Sequence, residues 1–385
     1  MLTKIILKNI CSIKECEIDF SKNRYSYLEE NVLDGLVNPI AVYGHNGSGK
    51  TSIFRAISTF INLMVRPVDD LNGFIINEFN LSKFKKNNHN NLLPPEEAIK
   101  LITGSMEIHF KLDNDNYVYF LATNLIWKIE KEYLLVNGRE VFLRDIETEK
   151  YENKIIKLDI NRSRLVPTLR YLASKEVDDL SVQKAYKFLS SFTFVDLPRQ
   201  SSGSGFVTSK LFDNVKIFDL IVAKSDGVKD ILRDYAEFPL YSVIKKENTE
   251  NLNNNAPYMI KYEGMDDEEL DYRFMSDGMR NQSVLLSIVL SLPENGILFV
   301  DEVDDALHPS AAVSFLKVIR EKKIQLLFSS HNTHLLQHLR PDQIYFAKWK
   351  QGYSSYYRLS NIYPNIREIN NIEKMYLANV FEVED

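Results

Sequence analysis

The chain has 385 residues, of which 44% are hydrophobic and 26% charged. These are values of a globular protein, and the length suits one large domain with insertions or two lobes. A formal net charge of -6 supplies no global basic field for nucleic acid or an anionic membrane, although it leaves room for a local basic groove.

No window of about 18 uninterrupted apolar residues occurs, so no membrane span is expected. The first apolar run carries lysines and reads as a strand rather than a signal peptide. The two cysteines, Cys11 and Cys16, stand close together near the N-terminus. With no third cysteine and no nearby histidine they suggest neither a disulfide framework nor a zinc site, and they fit a reducing, cytoplasmic compartment.

In chain order, residues 3–10 read as a strand, with 16–20 as its hairpin partner. Residues 39–43 (Pro-Ile-Ala-Val-Tyr) form a short buried strand. A Gly-rich loop follows, then Ile53, Phe54, Ile57, Phe60, Ile61 and Met64 recur at helical spacing. Residues 83–97 are rich in Asn and Lys and read as a loop or insertion boundary. Ile108, Phe110 and Leu112 alternate, as do Tyr117, Tyr119 and Leu121. Asn137-Gly138 predicts a type I′ hairpin turn, because both residues tolerate positive φ. From about 166 to 240 the pattern is helical, as in 181–192 and 227–236, broken by the Ser/Gly run 201–205. A second Asn-rich loop, 248–255, precedes a strand at 257–262, and from 276 onward the pattern is again α/β.

Residues 44–51 (Gly-His-Asn-Gly-Ser-Gly-Lys-Thr) match the phosphate-binding pattern G-x-x-x-x-G-K-[ST] without a mismatch, between a strand and a helix. The backbone of Asn46, Gly47, Ser48 and Gly49 and the helix N-terminus supply partial positive charge for phosphate oxygens. Lys50 would reach the β- and γ-phosphates of ATP, and the Thr51 hydroxyl would bind Mg2+.

Residues 297–302 (Ile-Leu-Phe-Val-Asp-Glu) describe a buried strand ending in two acids at the sheet edge where ligands gather. Asp301 would hold the metal through water, and Glu302 would orient or deprotonate the attacking water. Ser276, 25 residues before Asp301, begins a helix together with Gly278. A Ser-x-Gly there is an anion-binding shape, and on local sequence alone it reads as an ordinary Ser N-cap. His331 ends a further strand, 324–328, where an imidazole can sense a γ-phosphate. Asp304 and Asp305 extend the acidic strand end toward the site or a partner subunit. Asp266, Asp267, Glu268 and Glu269 read as a solvated loop more readily than as metal ligands. Lys83, Lys85 and Lys86 read as a solvated face more readily than as phosphate contacts.

The order of these motifs resembles the ABC-type ATPases of the SMC, RecF and OLD group. Within it, the chain is similar to the AAA-family ATPases of prokaryotic antiviral defence, of RloA/AbiL type with PARIS-like and Septu-like relatives. The residues that carry the resemblance are the P-loop, Ser276-Asp277-Gly278-Met279-Arg280, the stretch 301–310 (Asp-Glu-Val-Asp-Asp-Ala-Leu-His-Pro-Ser), Ser329-Ser330-His331-Asn332 and the closing stretch 369–378.

The resemblance implies an α/β P-loop NTPase of ABC-ATPase type with an antiparallel β lobe and a helical insertion. The core would be split between residues 1–80 and 271–385, with the β-hairpin lobe at 81–165 and the helical insertion and return strand at 166–270. It implies that Ser276 and Gly278 are the signature gripping ATP bound to an opposite subunit, that Glu302 is the catalytic glutamate, and that His331 is the switch histidine. Gln200 is a Q-loop candidate by location. The implied activity is Mg2+-dependent ATP hydrolysis in a homodimer or higher homo-oligomer with shared ATP sites. The implied role is sensor and regulator of a separate nuclease or toxin effector in abortive infection. A RecF/SMC-like repair ATPase that binds DNA is the alternative, and a non-hydrolysing ATP-binding scaffold is a third reading.

Overall fold

The computed structural model describes residues 1–65, 103–124, 128–146, 148–151, 154–155, 166–175, 179–196, 206–208, 211, 216–233, 240–245, 258–264, 269–305, 307 and 309–381. Gln200, the loops 83–97 and 248–255, the run 201–205 and Asp266 to Glu268 lie outside the described residues.

Five parallel strands form the centre of a large sheet. Their order across it is Thr193–Asp196, Ile297–Asp301, Gln325–Ser329, Ile40–Tyr43 and Ile344–Lys350. Parallel strands are normally covered on both faces, so they read as continuous apolar runs. Here Ile40, Val42, Ile297, Phe299 and Leu327 point into one core. Their neighbours Ala41, Tyr43, Leu298, Val300, Leu326 and Phe328 point into the other.

The first core is closed by the helix Lys50–Val65 together with Thr168–Ser174 and Leu180–Ser190. The second is closed by Asp277–Ser291, Pro309–Glu321 and Ile217–Arg233. An α/β P-loop NTPase fold of ABC-ATPase type is therefore assembled from both ends of the chain together with a strand, Thr193–Asp196, and covering helices from its middle.

Beyond Ile344–Lys350 the sheet continues through Tyr353–Arg358, Ile13–Asp19 and Leu2–Ile10 into an antiparallel lobe. Thr103–Leu112, Asp115–Asn124, Ile129–Val136 and Arg139–Arg144 follow one another as antiparallel neighbours. The turn at Asn137 and Gly138 has φ of 51° and 77°, as a type I′ turn requires. The alternating residues Ile108, Phe110, Tyr117, Tyr119 and Leu121 all face the core.

The span read as helical, 166–240, also holds strands. Thr193–Asp196 joins the parallel sheet beside Ile297–Asp301, and Phe206–Thr208 pairs with it antiparallel. Four residues, of which only Phe194 and Val195 are apolar, have no period that distinguishes a strand from the end of a buried helix. The helix expected at 227–236 belongs, over its described residues 227–233, to a longer one, Ile217–Arg233. The N-terminal partner strand also starts earlier than its apolar residues suggest, at Ile13.

Candidate nucleotide site

Strands Ile40–Tyr43, Ile297–Asp301 and Gln325–Ser329 run parallel, so their C-terminal ends deliver residues 44–51, 301–302 and 330–331 to one edge of the sheet. In open α/β sheets that edge is where ligands bind.

The loop 44–51 needs its glycines for identifiable reasons. Gly44, Gly47 and Gly49 have φ of 149°, 78° and 100°, values that side chains rarely adopt. A Cβ at Gly44 would strike the Ala347 carbonyl, and one at Gly49 would strike Ser354. The loop is thus pressed against the strands at Ile344–Lys350 and Tyr353–Arg358, and polar groups fix it there. Tyr356 donates to the Gly49 carbonyl at 2.8 Å, and Ser12 lies 2.6 Å from Ser354 and 2.8 Å from Ser52, hydroxyl to hydroxyl.

The helix Lys50–Val65 starts directly from the loop. Its first turn carries N–H groups without intrahelical acceptors and the positive end of its dipole. Lys50 donates back to the carbonyls of Gly44 (2.9 Å) and His45 (3.3 Å). Burial pushes its ammonium below the ordinary lysine value, against the pull of Glu302, Asp301 and Asp304.

Asp301 is 6% exposed. Burial pushes its carboxyl upward, opposed by hydrogen bonds from the Ser329 and Thr51 hydroxyls and by the charges of Arg55 and Lys50. The two residues expected to hold Mg2+, Thr51 and Asp301, stand at the same edge of the sheet, at the ends of the parallel strands. The donor set fits a hard cation, which prefers oxygen ligands. Among the described residues the Ser48 hydroxyl is buried without a hydrogen-bond partner, as expected of a phosphate cradle.

Glu302 is half-buried and its backbone is left-handed, φ 54°, a conformation that is uncommon outside glycine and concentrates at functional sites. Its N–H donates to Ser329 Oγ at 2.7 Å. His331 is exposed, and its N–H donates to both carboxylate oxygens of Asp304, at 3.1 and 3.0 Å.

Ser276 and Gly278 stand apart from these groups. Both are exposed. Ser276 caps the helix Asp277–Ser291 by accepting from Met279 N–H at 3.3 Å, and a Cβ at Gly278 would meet only open space. The closing helix Ile372–Leu377 sits on the segment after His331. Glu373 accepts from Thr333 at 3.1 Å and from Gln337, and Tyr376 packs its ring against Tyr43 and Phe346.

Sequence reasoning did not find Ser12, Ser329, Ser354 or Tyr356. Each is an ordinary strand or turn residue whose significance comes from pairing across the sheet. Only the Ser-Ser of Ser329-Ser330-His331 offered a local signal.

A family model described as "AAA domain, putative AbiEii toxin, Type IV TA system" matches residues 40–337. No curated protein matches the chain. Among solved structures, an SMC head bound to the C-winged helix domain of ScpA superposes with a TM-score of 0.52 at 15% identity, covering 94% of this chain and 99% of its own. The SMC head domain from Thermotoga maritima gives 0.45 at 14%, covering 93% and 98%. An SMC head with an extended coiled coil, bound to the C-terminal domain of ScpA and derived from Pyrococcus furiosus, gives 0.46 at 15%, covering 94% and 98%.

Proposed function

The chain belongs to this AAA-domain, AbiEii-type family, and from that membership we propose that it binds ATP with Mg2+ and hydrolyses it to ADP and phosphate. The observation that carries the reading is the delivery of the P-loop and the buried Asp301 to one edge of the sheet by parallel strands, with the Ser48 hydroxyl without a partner among the described residues.

In this reading the backbone of Asn46, Gly47, Ser48 and Gly49 cradles the phosphates. Lys50 turns from the Gly44 and His45 carbonyls to the β- and γ-phosphates. Thr51 and Asp301 hold the cation, which neutralises phosphate charge when bound. Glu302 orients the attacking water and takes its proton. His331, steadied through its N–H by Asp304, faces the γ-phosphate. Ser276 and Gly278, exposed and occupied only with their own helix, are free to grip ATP on a second copy, making the nucleotide a clamp between protomers.

The biological role we propose is sensor and regulator of a separate effector in anti-phage defence, supported by the abortive-infection character of the family description. The SMC head of similar fold is bound to a partner domain, which supports engagement of a separate protein.

The test is ATP turnover and oligomeric mass for wild type and Glu302→Gln. Magnesium-dependent turnover in wild type, with turnover lost and ATP-stabilised association kept in the variant, is the expected result. Normal hydrolysis by Glu302→Gln would overturn the role given to Glu302. Binding without turnover in wild type would replace hydrolysis by a scaffold function.

A further inference from the structure

One buried hydroxyl ties the two acids of the site together. Ser329 is fully buried. Its Oγ lies 2.5 Å from Asp301 Oδ1 and accepts from Glu302 N–H at 2.7 Å. The directions are forced. A backbone N–H can only donate, so it takes a lone pair of the hydroxyl. An ionised carboxylate can only accept, so the single hydroxyl proton goes to Asp301.

Two consequences follow. Asp301 has one oxygen turned to Ser329, which fixes the rotation of the carboxylate and hence the direction of the other oxygen. Glu302 has its N–H anchored, and that anchor holds a glutamate in the left-handed region, where it has no intrinsic preference to be. Ser330, next in sequence, does something different: its hydroxyl accepts from Asn332 N–H at 2.9 Å within the following turn.

We propose that Ser329 is a positioning residue for hydrolysis, setting the backbone of Glu302 by the same hydroxyl that orients Asp301 toward the cation. The inference rests on the ATPase reading above. Cation binding at Asp301 and water activation by Glu302 are then coupled through one atom. Ser329 contributes to turnover through its two neighbours without touching the nucleotide.

The experiment compares wild type, Ser329→Ala and Ser329→Thr, each alone and with Glu302→Gln, by steady-state ATPase kinetics and by calorimetric titration with ATP across a range of MgCl2 concentrations. Misplacing a reacting group by about 1 Å is worth about 10²-fold in rate. Ser329→Ala is therefore expected to lower kcat by about 10- to 100-fold while KM for ATP at saturating MgCl2 stays within about threefold. Ser329→Thr keeps the hydroxyl and restores kcat. In the Glu302→Gln background, where turnover is already lost, the titrations read the Asp301 branch alone, and Ser329→Ala still raises the MgCl2 needed for tight ATP binding.

A kcat unchanged in Ser329→Ala overturns the proposal. So does a loss shared equally between binding and turnover, which marks a merely structural serine. Absence of turnover in wild type refutes hydrolysis itself, and the titrations then decide separately. If Ser329→Ala needs more MgCl2 than wild type to reach the same ATP affinity, the coupling to Asp301 stands. If the MgCl2 requirement is the same as in wild type, it falls.

Discussion

Replacing Gly49 by alanine tests whether the phosphate loop is held by the strand behind it. Two effects add at this position. The backbone has φ 100°, which costs a residue with a Cβ about 1–3 kcal/mol. The new Cβ would also stand 2.6 Å from Ser354 Cβ and 3.2 Å from Ser12 Oγ, an overpacking worth about 1–3 kcal/mol.

Gly47 separates the terms, because its φ is 78° but a Cβ there meets nothing within 4 Å. Gly47→Ala therefore carries only backbone strain, about 1–2 kcal/mol. Unfolding entropy of about 2.1 cal/mol/K per residue gives about 0.8 kcal/mol/K for this chain. The expected loss of Tm is thus about 3–7 °C for Gly49→Ala and about 1–3 °C for Gly47→Ala.

Scanning calorimetry of both variants, of Ser354→Gly and of Gly49→Ala combined with Ser354→Gly completes a double-mutant cycle. The clash term of about 1–3 kcal/mol should reappear as favourable coupling between positions 49 and 354. Equal losses for the two glycine variants, or additive behaviour in the cycle, would refute the claim that Ser354 sets the position of the loop.

Two further outcomes follow from polar groups. Arg340 is wholly buried, with Nε and Nη2 each 3.0 Å from the equally buried Asp342 and further bonds to the carbonyls of Tyr25 and Tyr27. Arg340→Ala leaves that carboxylate uncompensated and should cost about 3–5 kcal/mol in urea unfolding, whereas Arg340→Met with Asp342→Leu should recover most of the loss. Ser276 is a helix cap and, in the function proposed above, a grip on a partner's ATP, and substitution separates the two: Ser276→Ala should lose about 1 kcal/mol of stability through the cap. Ser276→Asp should keep the cap and, by placing negative charge against a partner's γ-phosphate, abolish turnover. Full activity in Ser276→Asp would leave the serine as a cap alone.

The legible parts of the fold were those with a strong local pattern. The P-loop announces itself because phosphate binding constrains eight consecutive residues. The strand ending in Asp301 and Glu302 is legible because a run covered on both faces must be apolar throughout. The hairpin at Asn137-Gly138 is legible because few residue pairs accept its φ angles.

The strand Thr193–Asp196 was hidden by its brevity, since four residues with only Phe194 and Val195 apolar carry no period. The contacts that shape the site were hidden for another reason. Ser12 reaches Ser354 across 342 positions, and Asp301 reaches Ser329 across 28. Nothing local marks such residues as neighbours.

Strand order explains why the chain distributes its chemistry as it does. The P-loop strand Ile40–Tyr43 lies between Gln325–Ser329 and Ile344–Lys350, so the N-terminal P-loop has C-terminal neighbours on both sides. Asp301 is one strand further out, and Ser329 is the residue interposed between them. A hydroxyl at the end of the intervening strand reaches the acid on one side, while the same strand pairs with Val42 on the other. The long intervening sequence leaves this centre undisturbed because its antiparallel lobe attaches through Leu2–Ile10, at the far side of Tyr353–Arg358. One strand of that middle region, Thr193–Asp196, does enter the parallel sheet, in register with Ile297–Asp301 and with position 196 opposite Asp301. The middle of the chain is therefore built into the wall of the candidate site, and a change there has a direct path to Asp301 through one strand pairing.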